Sequence, residues 1–346
     1  MKTLAAVLVE TGRPLELAEL EIPALKPGQV LVEISFSGVC HTQVLEVRGH
    51  RGEDRFLPHC LGHEGSGVVL EAGPGVTKVR SGDRVVLSWM QGSGANVPGM
   101  TYRWNQRTVN SGAITTFSRH SVISESRVTP LPENVTPRTA ALLGCAAPTG
   151  FGAVFNAAQP RPGQSIAIFG TGGIGLCAVA GAAVSGCVPV IAVDIRSEKL
   201  RLARQMGATH TILVGTEDPV EAIFKICPGG VDFAVEATGR TAVMEQALRS
   251  VRSRGGTAVV IGNARQGERL SIDPRELNQG KRLCGTWGGD NWPDRDFPRY
   301  GRLLNSGRVN LSPLLGREYS LEEINRALEE LESGEVARPL VDMSRQ

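Results

Sequence analysis

The sequence of 346 residues lacks any apolar run near the roughly 20 residues that a membrane-spanning helix needs. It also lacks a strong charge of either sign, because 37 basic and 35 acidic side chains leave a formal net charge of +2. That charge is too small to indicate nucleic acid or an anionic membrane as a partner. The N-terminal stretch meets Glu10 before any long apolar region or small-residue cleavage site. We therefore expect a cytoplasmic protein that binds neither nucleic acid nor membrane.

A disulfide framework is not indicated either, because the seven cysteines are odd in number and widely scattered. In a reducing compartment such cysteines are metal ligands or small buried hydrophobic residues. Four of them have no nearby histidine or acidic residue, and we interpret them as structural: Cys177, Cys187, Cys227 and Cys284.

The chain is long for a single core, so two domains are expected. Its first third shows short strands rich in Val and Ile, such as QVLVEISFSGVC and DRVVLSW, which predict an all-β, barrel-like body. After Pro160, apolar strands alternate with helices, and this predicts a doubly wound parallel sheet of an α/β protein. From about Gly288 the alternation stops, and SLEEINRALEELESGE predicts one amphipathic helix capped by Ser320 and Glu323. Residues 90–116 are polar and rich in glycine, and they predict a long excursion.

The hexapeptide GTGGIG follows a predicted strand directly and begins a predicted helix. In this βαβ context the glycines are typical of a dinucleotide site: Gly170 permits a tight turn and Gly172 lets backbone amides approach the pyrophosphate. Gly175 lets helix and strand pack closely, and the pyrophosphate is expected at the N-terminus of the helix. Gly173 and Ile174 complete the loop that we assign to the cofactor.

Asp194 ends the next predicted strand, at the separation from the glycines that this fingerprint requires. A carboxylate there can accept hydrogen bonds from the adenosine ribose and would repel a 2′-phosphate. The pattern therefore favours NAD over NADP. The alternative interpretation is a glycine-rich turn followed by a surface aspartate.

The stretch CLGHEGSG sets a histidine and a glutamate side by side among three glycines. A catalytic zinc ion takes three protein ligands from Cys, His and carboxylate, and it keeps one position open. Candidates with this chemistry are Cys40, His63, Glu64 and Cys145, each close to a glycine. For any one of them alone, a buried core residue is the alternative.

Six segments follow one another in an order that is typical of one enzyme family: GVCHT, LGHEGSGVVLEAGPGVTKVRSGDRVV, LGCAAPTGFGA, IFGTGGIGL, VDFAVEATGR and SGEVARPLVDM. On these motifs the chain resembles the zinc-dependent medium-chain alcohol dehydrogenases over nearly its whole length. The resemblance implies a β-rich, GroES-like, partly open barrel as catalytic domain over 1–146 and 288–346. It implies a Rossmann-type NAD-binding domain over 147–287, and a homodimer or homotetramer. The expected reaction is hydride transfer between an alcohol, or its aldehyde or ketone, and NAD(H).

By this resemblance Cys40, His63 and Cys145 match the three protein ligands of the catalytic zinc. Glu64 matches an acidic neighbour that can approach or exchange onto the metal, whereas Cys60 matches no ligand position. The remaining matches are Thr42 at the hydroxyl that takes the proton from the alcohol, His41 and Arg338 at the cofactor pyrophosphate, Thr149 beside the nicotinamide, Lys199 near the adenosine ribose, and Trp89 at the inner substrate pocket, where core packing is the alternative.

Three departures from the family limit what the resemblance implies. The 90–116 excursion has no cysteine, so the second, structural zinc of many members is excluded and one zinc per chain is expected. Gln43 stands where the family usually has an aspartate that orients the metal-bound histidine, and Leu45 stands where a relay histidine is common. Two rival functions remain: a zinc-free quinone or enone reductase of the same superfamily, and a non-catalytic nucleotide-binding protein.

Overall fold

The computed structural model describes residues 1–345 and divides into two compact units. The first unit contains Met1–Cys145, Trp292–Asn305 and the chain from Leu315 onward, and the second contains Ala146–Asn291 and Ser306–Leu314. Segment 306–314 belongs to the second unit although it lies outside the expected limits of the nucleotide domain, 147–287. The sequence did not predict this because the segment shows no alternation of strands and helices. No helix within residues 1–345 is long and apolar enough to cross a membrane.

The strands are listed here in chain order, with those of both units together. They are β1 (Lys2–Leu8), β2 (Glu16–Glu21), β3 (Gln29–Gly38), β4 (His59–Cys60), β5 (Glu64–Ala72), β6 (Arg84–Ser88), β7 (Thr101–Trp104), β8 (Arg107–Asn110), β9 (His120–Ser124), β10 (Val128–Pro130), β11 (Ile166–Phe169), β12 (Val190–Asp194), β13 (His210–Leu213), β14 (Phe233–Glu236), β15 (Thr257–Val260), β16 (Arg282–Gly285), β17 (Glu318–Tyr319) and β18 (Leu340–Asp342).

The helices are mostly short, and the longest of them have 12 and 13 residues. They are α1 (His41–Val47), α2 (Pro137–Leu142), α3 (Ala146–Gly152), α4 (Gly173–Val184), α5 (Ser197–Gln205), α6 (Pro219–Ile226), α7 (Thr241–Ser250), α8 (Pro274–Asn278), α9 (Pro293–Asn305) and α10 (Ile324–Ser333). The predicted C-terminal helix is α10 with the 3-10 turn Leu321–Glu323 before it, and Glu323 accepts the backbone N–H of Ser320 at 3.0 Å.

The first unit is built on two sheets. Strands β1, β2, β7, β8 and β4 close into a barrel, and a second sheet has the order β10-β6-β5-β3-β18-β17, with β9 paired to β3. Side chains of β1 alternate between two cores: Ala5 and Val7 face the inside of the barrel, and Ala6 and Leu8 face the core of the second sheet. The β-rich, GroES-like domain that the resemblance implied is confirmed, but its barrel is closed rather than partly open, because the β7–β8 hairpin pairs with both β2 and β4.

The second unit is a parallel sheet of six strands in the order β13-β12-β11-β14-β15-β16. Strands β11 and β12 are buried along their whole length, which is why they read as continuous apolar runs in the sequence. The strand order reverses between β11 and β14, so the loops after these strands leave a crevice of the kind in which dinucleotides bind. The predicted Rossmann-type fold is confirmed.

The 90–116 excursion contains an antiparallel hairpin, β7 and β8, which the sequence analysis did not predict. Tyr102 and Val109 are buried in the barrel core with Met100, and the Tyr102 hydroxyl oxygen accepts the Val122 N–H at 2.9 Å. Asn105 makes the turn with a φ of 55°. Packed apolar side chains thus hold the part of the chain that many family members hold with zinc.

The carboxylate of Glu125 links the 90–116 excursion to the turn at residues 77–78 through hydrogen bonds. Its Oε1 accepts the N–H groups of Thr77 and Lys78 at 2.7 and 2.8 Å, and its Oε2 accepts the Ala95 N–H at 2.7 Å. Burial raises the pKa of Glu125, but these three amides lower it more, so that its pKa lies below the ordinary value. The carboxylate form is therefore the one that stabilises the fold.

We expect Glu125→Gln to lower the free energy of unfolding by about 2 kcal/mol near neutral pH, because the amide NH₂ then faces a backbone N–H. The pKa of Glu125 is lowered in the folded state, so its stabilisation is present above the unfolded pKa and is lost as pH falls. The difference between wild type and variant should therefore shrink from about pH 7 to about pH 4 in urea unfolding. Glu133→Gln, at an exposed carboxylate, is the control. A difference that grows toward acid pH would contradict this role.

Candidate functional site

Three side chains with zinc-binding chemistry converge in the first unit. Cys40 lies between β3 and α1, His63 directly precedes β5, and Cys145 follows α2. One ligand atom from each lies within 4.8 Å of the others, and the two cysteines are buried. Loops at the ends of separate strands and helices thus bring together residues that are up to 105 positions apart in the sequence, from 40 to 145.

The two nitrogens of His63 have different surroundings. Its Nδ1 lies 2.5 Å from Nε2 of Gln43, whereas its Nε2 is buried without a hydrogen-bond partner among residues 1–345. Nε2 is therefore the nitrogen available to a metal ion. Trp89 packs edge-on against the imidazole, with ring centroids 6.4 Å apart and planes at 70°. Trp89 is half-buried, and this ring contact puts it beside the candidate ligand His63.

Two thiols and an orphaned imidazole nitrogen form a donor set that suits zinc. A hydrogen bond from Cys145 holds the pKa of Cys40 well below its ordinary value, although burial opposes this shift. A low thiol pKa favours the thiolate, which is the form that binds metal. By contrast, burial raises the pKa of Cys60 to about 12, and this residue packs in the barrel core.

Glu64 lies next to His63 in the chain, but its carboxylate pairs with Arg338 rather than joining the three clustered ligand atoms. Both side chains are buried, at 0% and 3% exposure. Burial raises the pKa of Glu64, and the Arg338 charge opposes that rise. A Cβ at Gly38 would lie 2.1 Å from Glu64 Oε1, so a larger residue there has no room. Exchange of Glu64 onto the metal stays a prediction.

Helix α1 carries the other residues that the sequence assigned to this centre. His41 is its first residue and is exposed, and Thr42 is half-buried. The Thr42 hydroxyl oxygen lies 3.7 Å from Cys40 Sγ, which puts it beside a candidate metal ligand. Leu45 is buried one turn later, at 8% exposure.

The glycine loop of the second unit follows β11 and leads into α4. Gly170 has a φ of 85°, which L side chains rarely adopt, and a Cβ at Gly175 would lie 1.8 Å from the Gly170 carbonyl oxygen. A Cβ at Gly172 would meet nothing within 4 Å, so the backbone there is open to a ligand. Gly173 and Ile174 form the first turn of α4, where unpaired N–H groups favour an anion.

Asp194, at the end of β12, is buried at 8% exposure and is held on both carboxylate oxygens. Its Oδ2 accepts the backbone N–H of Thr171 at 2.7 Å and the Thr171 hydroxyl at 2.9 Å, and its Oδ1 accepts the Arg196 N–H at 3.0 Å. The sequence analysis missed Thr171. The signal that could have indicated it is a hydroxyl residue placed between two glycines of the loop.

Two further residues of this unit were assigned to the cofactor. Thr149, in α3, has a buried hydroxyl without a hydrogen-bond partner in the described part of the chain. Lys199 is half-buried in the first turn of α5. Among the remaining cysteines, Cys284 is exposed on β16 at the edge of the sheet, so it is not a core residue.

Comparison with known proteins gives two family matches in this chain. Residues 26–133 match the family model described as alcohol dehydrogenase GroES-like domain, and residues 173–306 match the one described as zinc-binding dehydrogenase. An S-(hydroxymethyl)glutathione dehydrogenase from Synechocystis sp. is 34% identical over 369 aligned positions, covering 99% of this chain and all of that protein.

Solved structures agree with this. The chain is similar to an alcohol dehydrogenase zinc-binding domain protein from Burkholderia ambifaria, with a TM-score of 0.92 and 31% identity over 99% of both chains. It is also similar to benzyl alcohol dehydrogenase from Acinetobacter calcoaceticus, with a TM-score of 0.90 and 31% identity, again over 99% of both chains.

Proposed function

The chain belongs to the zinc-dependent medium-chain alcohol dehydrogenase family, and we propose that it transfers a hydride between an alcohol, or its aldehyde or ketone, and NAD(H). As a member it is an oxidoreductase that acts on alcohols. The observation that carries the proposal is the buried cluster of Cys40, His63 and Cys145, with the orphaned Nε2 of His63. This cluster makes the rival zinc-free reductase and the non-catalytic protein poorer explanations.

We assign the binding of one zinc ion to Cys40, His63 and Cys145. When bound, zinc supplies a Lewis acid that polarises the oxygen of an alcohol or carbonyl. The chain's own contribution is positional: Thr42 Oγ1, beside Cys40, would accept the hydroxyl proton of the alcohol in a hydrogen bond while its own hydroxyl proton passes to solvent. Trp89, packed against His63, narrows the space for the substrate carbon chain. Glu64 and Arg338 place a buried ion pair next to the ligands.

For the cofactor, we assign the pyrophosphate to the glycine loop Gly170–Gly175 and the adenosine ribose to Asp194. The open backbone at Gly172 and the fixed carboxylate of Asp194 support this assignment. Arg338 Nε is buried without a hydrogen-bond partner among residues 1–345, and an anion would satisfy it. His41, Thr149 and Lys199 complete the proposed cofactor set. A homodimer or homotetramer is also proposed.

The proposed function is tested by metal analysis together with an activity screen. The purified enzyme is supplied with NAD or NADP and with simple primary alcohols, benzyl alcohol, polyols and the adduct of formaldehyde with glutathione, and formation of NADH or NADPH is followed by absorbance. Reduction of an enone with NADPH is assayed in parallel. We expect zinc-dependent turnover with NAD for at least one of these alcohols. Enone reduction with NADPH by a metal-free protein would instead establish the rival reductase. Absence of any turnover in zinc-loaded protein that binds NAD would favour the non-catalytic alternative.

A further inference from the structure

The side chain of Gln43 faces two polar groups at once. It is the third residue of α1 and is buried at 1% exposure, between the backbone of Cys40 and the ring of His63. Its Oε1 accepts the Cys40 N–H at 3.0 Å, and its Nε2 lies 2.5 Å from His63 Nδ1. The same side chain therefore caps α1 and contacts a candidate zinc ligand.

The amide arrangement fixes where the proton of a neutral His63 lies. An amide NH₂ group only donates, so the Nδ1 that faces it must accept. The ring proton then lies on Nε2, the nitrogen that points toward the two thiols. This tautomer suits the metal-free site, but a nitrogen that binds zinc cannot keep its proton.

When zinc occupies Nε2, the ring proton lies on Nδ1 and needs an acceptor. The Cys40 N–H needs an acceptor as well, so both groups that Gln43 faces are donors. An amide offers one oxygen and one NH₂, and turning it over only moves the mismatch from His63 to Cys40. A carboxylate offers two oxygens and satisfies both donors.

We propose that Gln43 is a positioning residue that favours the metal-free tautomer of His63, so that this chain binds its zinc more weakly than it would with a carboxylate at position 43. The inference rests on the proposed function, because it takes zinc as the ligand of Nε2. On this inference the zinc ion dissociates from this chain more readily than it would from a site with a carboxylate at position 43.

The test compares zinc affinities by competition with a chromophoric chelator in wild type, Gln43→Glu and Arg80→Gln. Gln43→Glu keeps the shape of the side chain and replaces the NH₂ by an oxygen. We expect it to tighten zinc binding about tenfold, the lower end of what contacts behind a metal ligand contribute. Arg80→Gln changes the net charge by the same amount at an exposed side chain whose ion pair is with Asp83, and it should leave the affinity unchanged. Gln43→Asp is the second carboxylate variant if Gln43→Glu does not fold.

A second measurement reports the tautomer directly. In metal-free wild type with ¹⁵N-labelled histidine, the His63 proton should reside on Nε2, and in Gln43→Glu a proton should reside on Nδ1. Zinc affinity in the carboxylate variants that is no higher than in wild type, or a wild-type proton on Nδ1, would overturn the inference while leaving the proposed function standing. If neither wild type nor variants bind zinc, the proposed function itself fails.

Discussion

Cys145→Ser should lose its zinc on dialysis and should turn over alcohol about 10³-fold more slowly than wild type, while NAD still binds. A metal ion contributes several kcal/mol to such a reaction, and each 1.36 kcal/mol is a factor of ten in rate. The serine hydroxyl does not ionise near neutral pH, so the cluster keeps one thiol and one imidazole, which is too few ligands for a catalytic zinc site. The glycine loop lies in the other unit and is unaffected.

Metal content and NAD affinity are measured together with turnover. Wild type should retain one zinc per chain, because the 90–116 excursion contains no Cys, His, Asp or Glu that could hold a second one. Cys60→Ser is the matched control, since Cys60 is equally buried in the same unit but lies in the barrel core, and its zinc content should equal that of wild type. Wild-type turnover by a metal-free Cys145→Ser protein would refute the zinc mechanism.

The sequence predicted those features whose backbone conformation is determined by a few residues that are neighbours in the chain. Position 170 requires glycine because its φ is positive, and position 175 requires glycine because the Gly170 carbonyl oxygen lies too close for a Cβ. Both requirements arise within one strand–turn–helix segment. The buried strands β11 and β12 are likewise visible as continuous apolar runs. Cys40, His63 and Cys145 were assigned by resemblance, and the fold brings them together.

What the sequence did not predict depends on contacts between distant residues. The β7–β8 hairpin was missed because its exposed face carries Thr101, Arg103 and Thr108, and only the barrel core explains why Tyr102 and Val109 alternate with them. The bond between Thr171 and Asp194 spans 23 positions, and that between Gln43 and His63 spans 20. No periodic pattern encodes such pairs.

Asp194→Ala should weaken NAD binding about 10- to 100-fold, because hydrogen bonds to a charged group contribute roughly 1.5–3 kcal/mol each. Binding of NADP should change less or improve, because the negative charge that repels a 2′-phosphate is gone. Dissociation constants for both cofactors, measured by titration calorimetry on zinc-loaded protein, give the ratio directly. A wild-type protein that already prefers NADP would show that this carboxylate does not select the cofactor.

Asp194 has two roles in this fold, and a second variant separates them. Its Oδ2 also accepts the backbone N–H and the hydroxyl of Thr171, so its removal loosens the glycine loop as well as removing the charge. Thr171→Val deletes the hydroxyl and keeps the carboxylate, so it should weaken NAD and NADP by a similar factor and leave their ratio near the wild-type value. Asp194→Ala should change that ratio. If both variants shift the ratio equally, the selectivity comes from the shape of the loop, and the charge of Asp194 is not its cause.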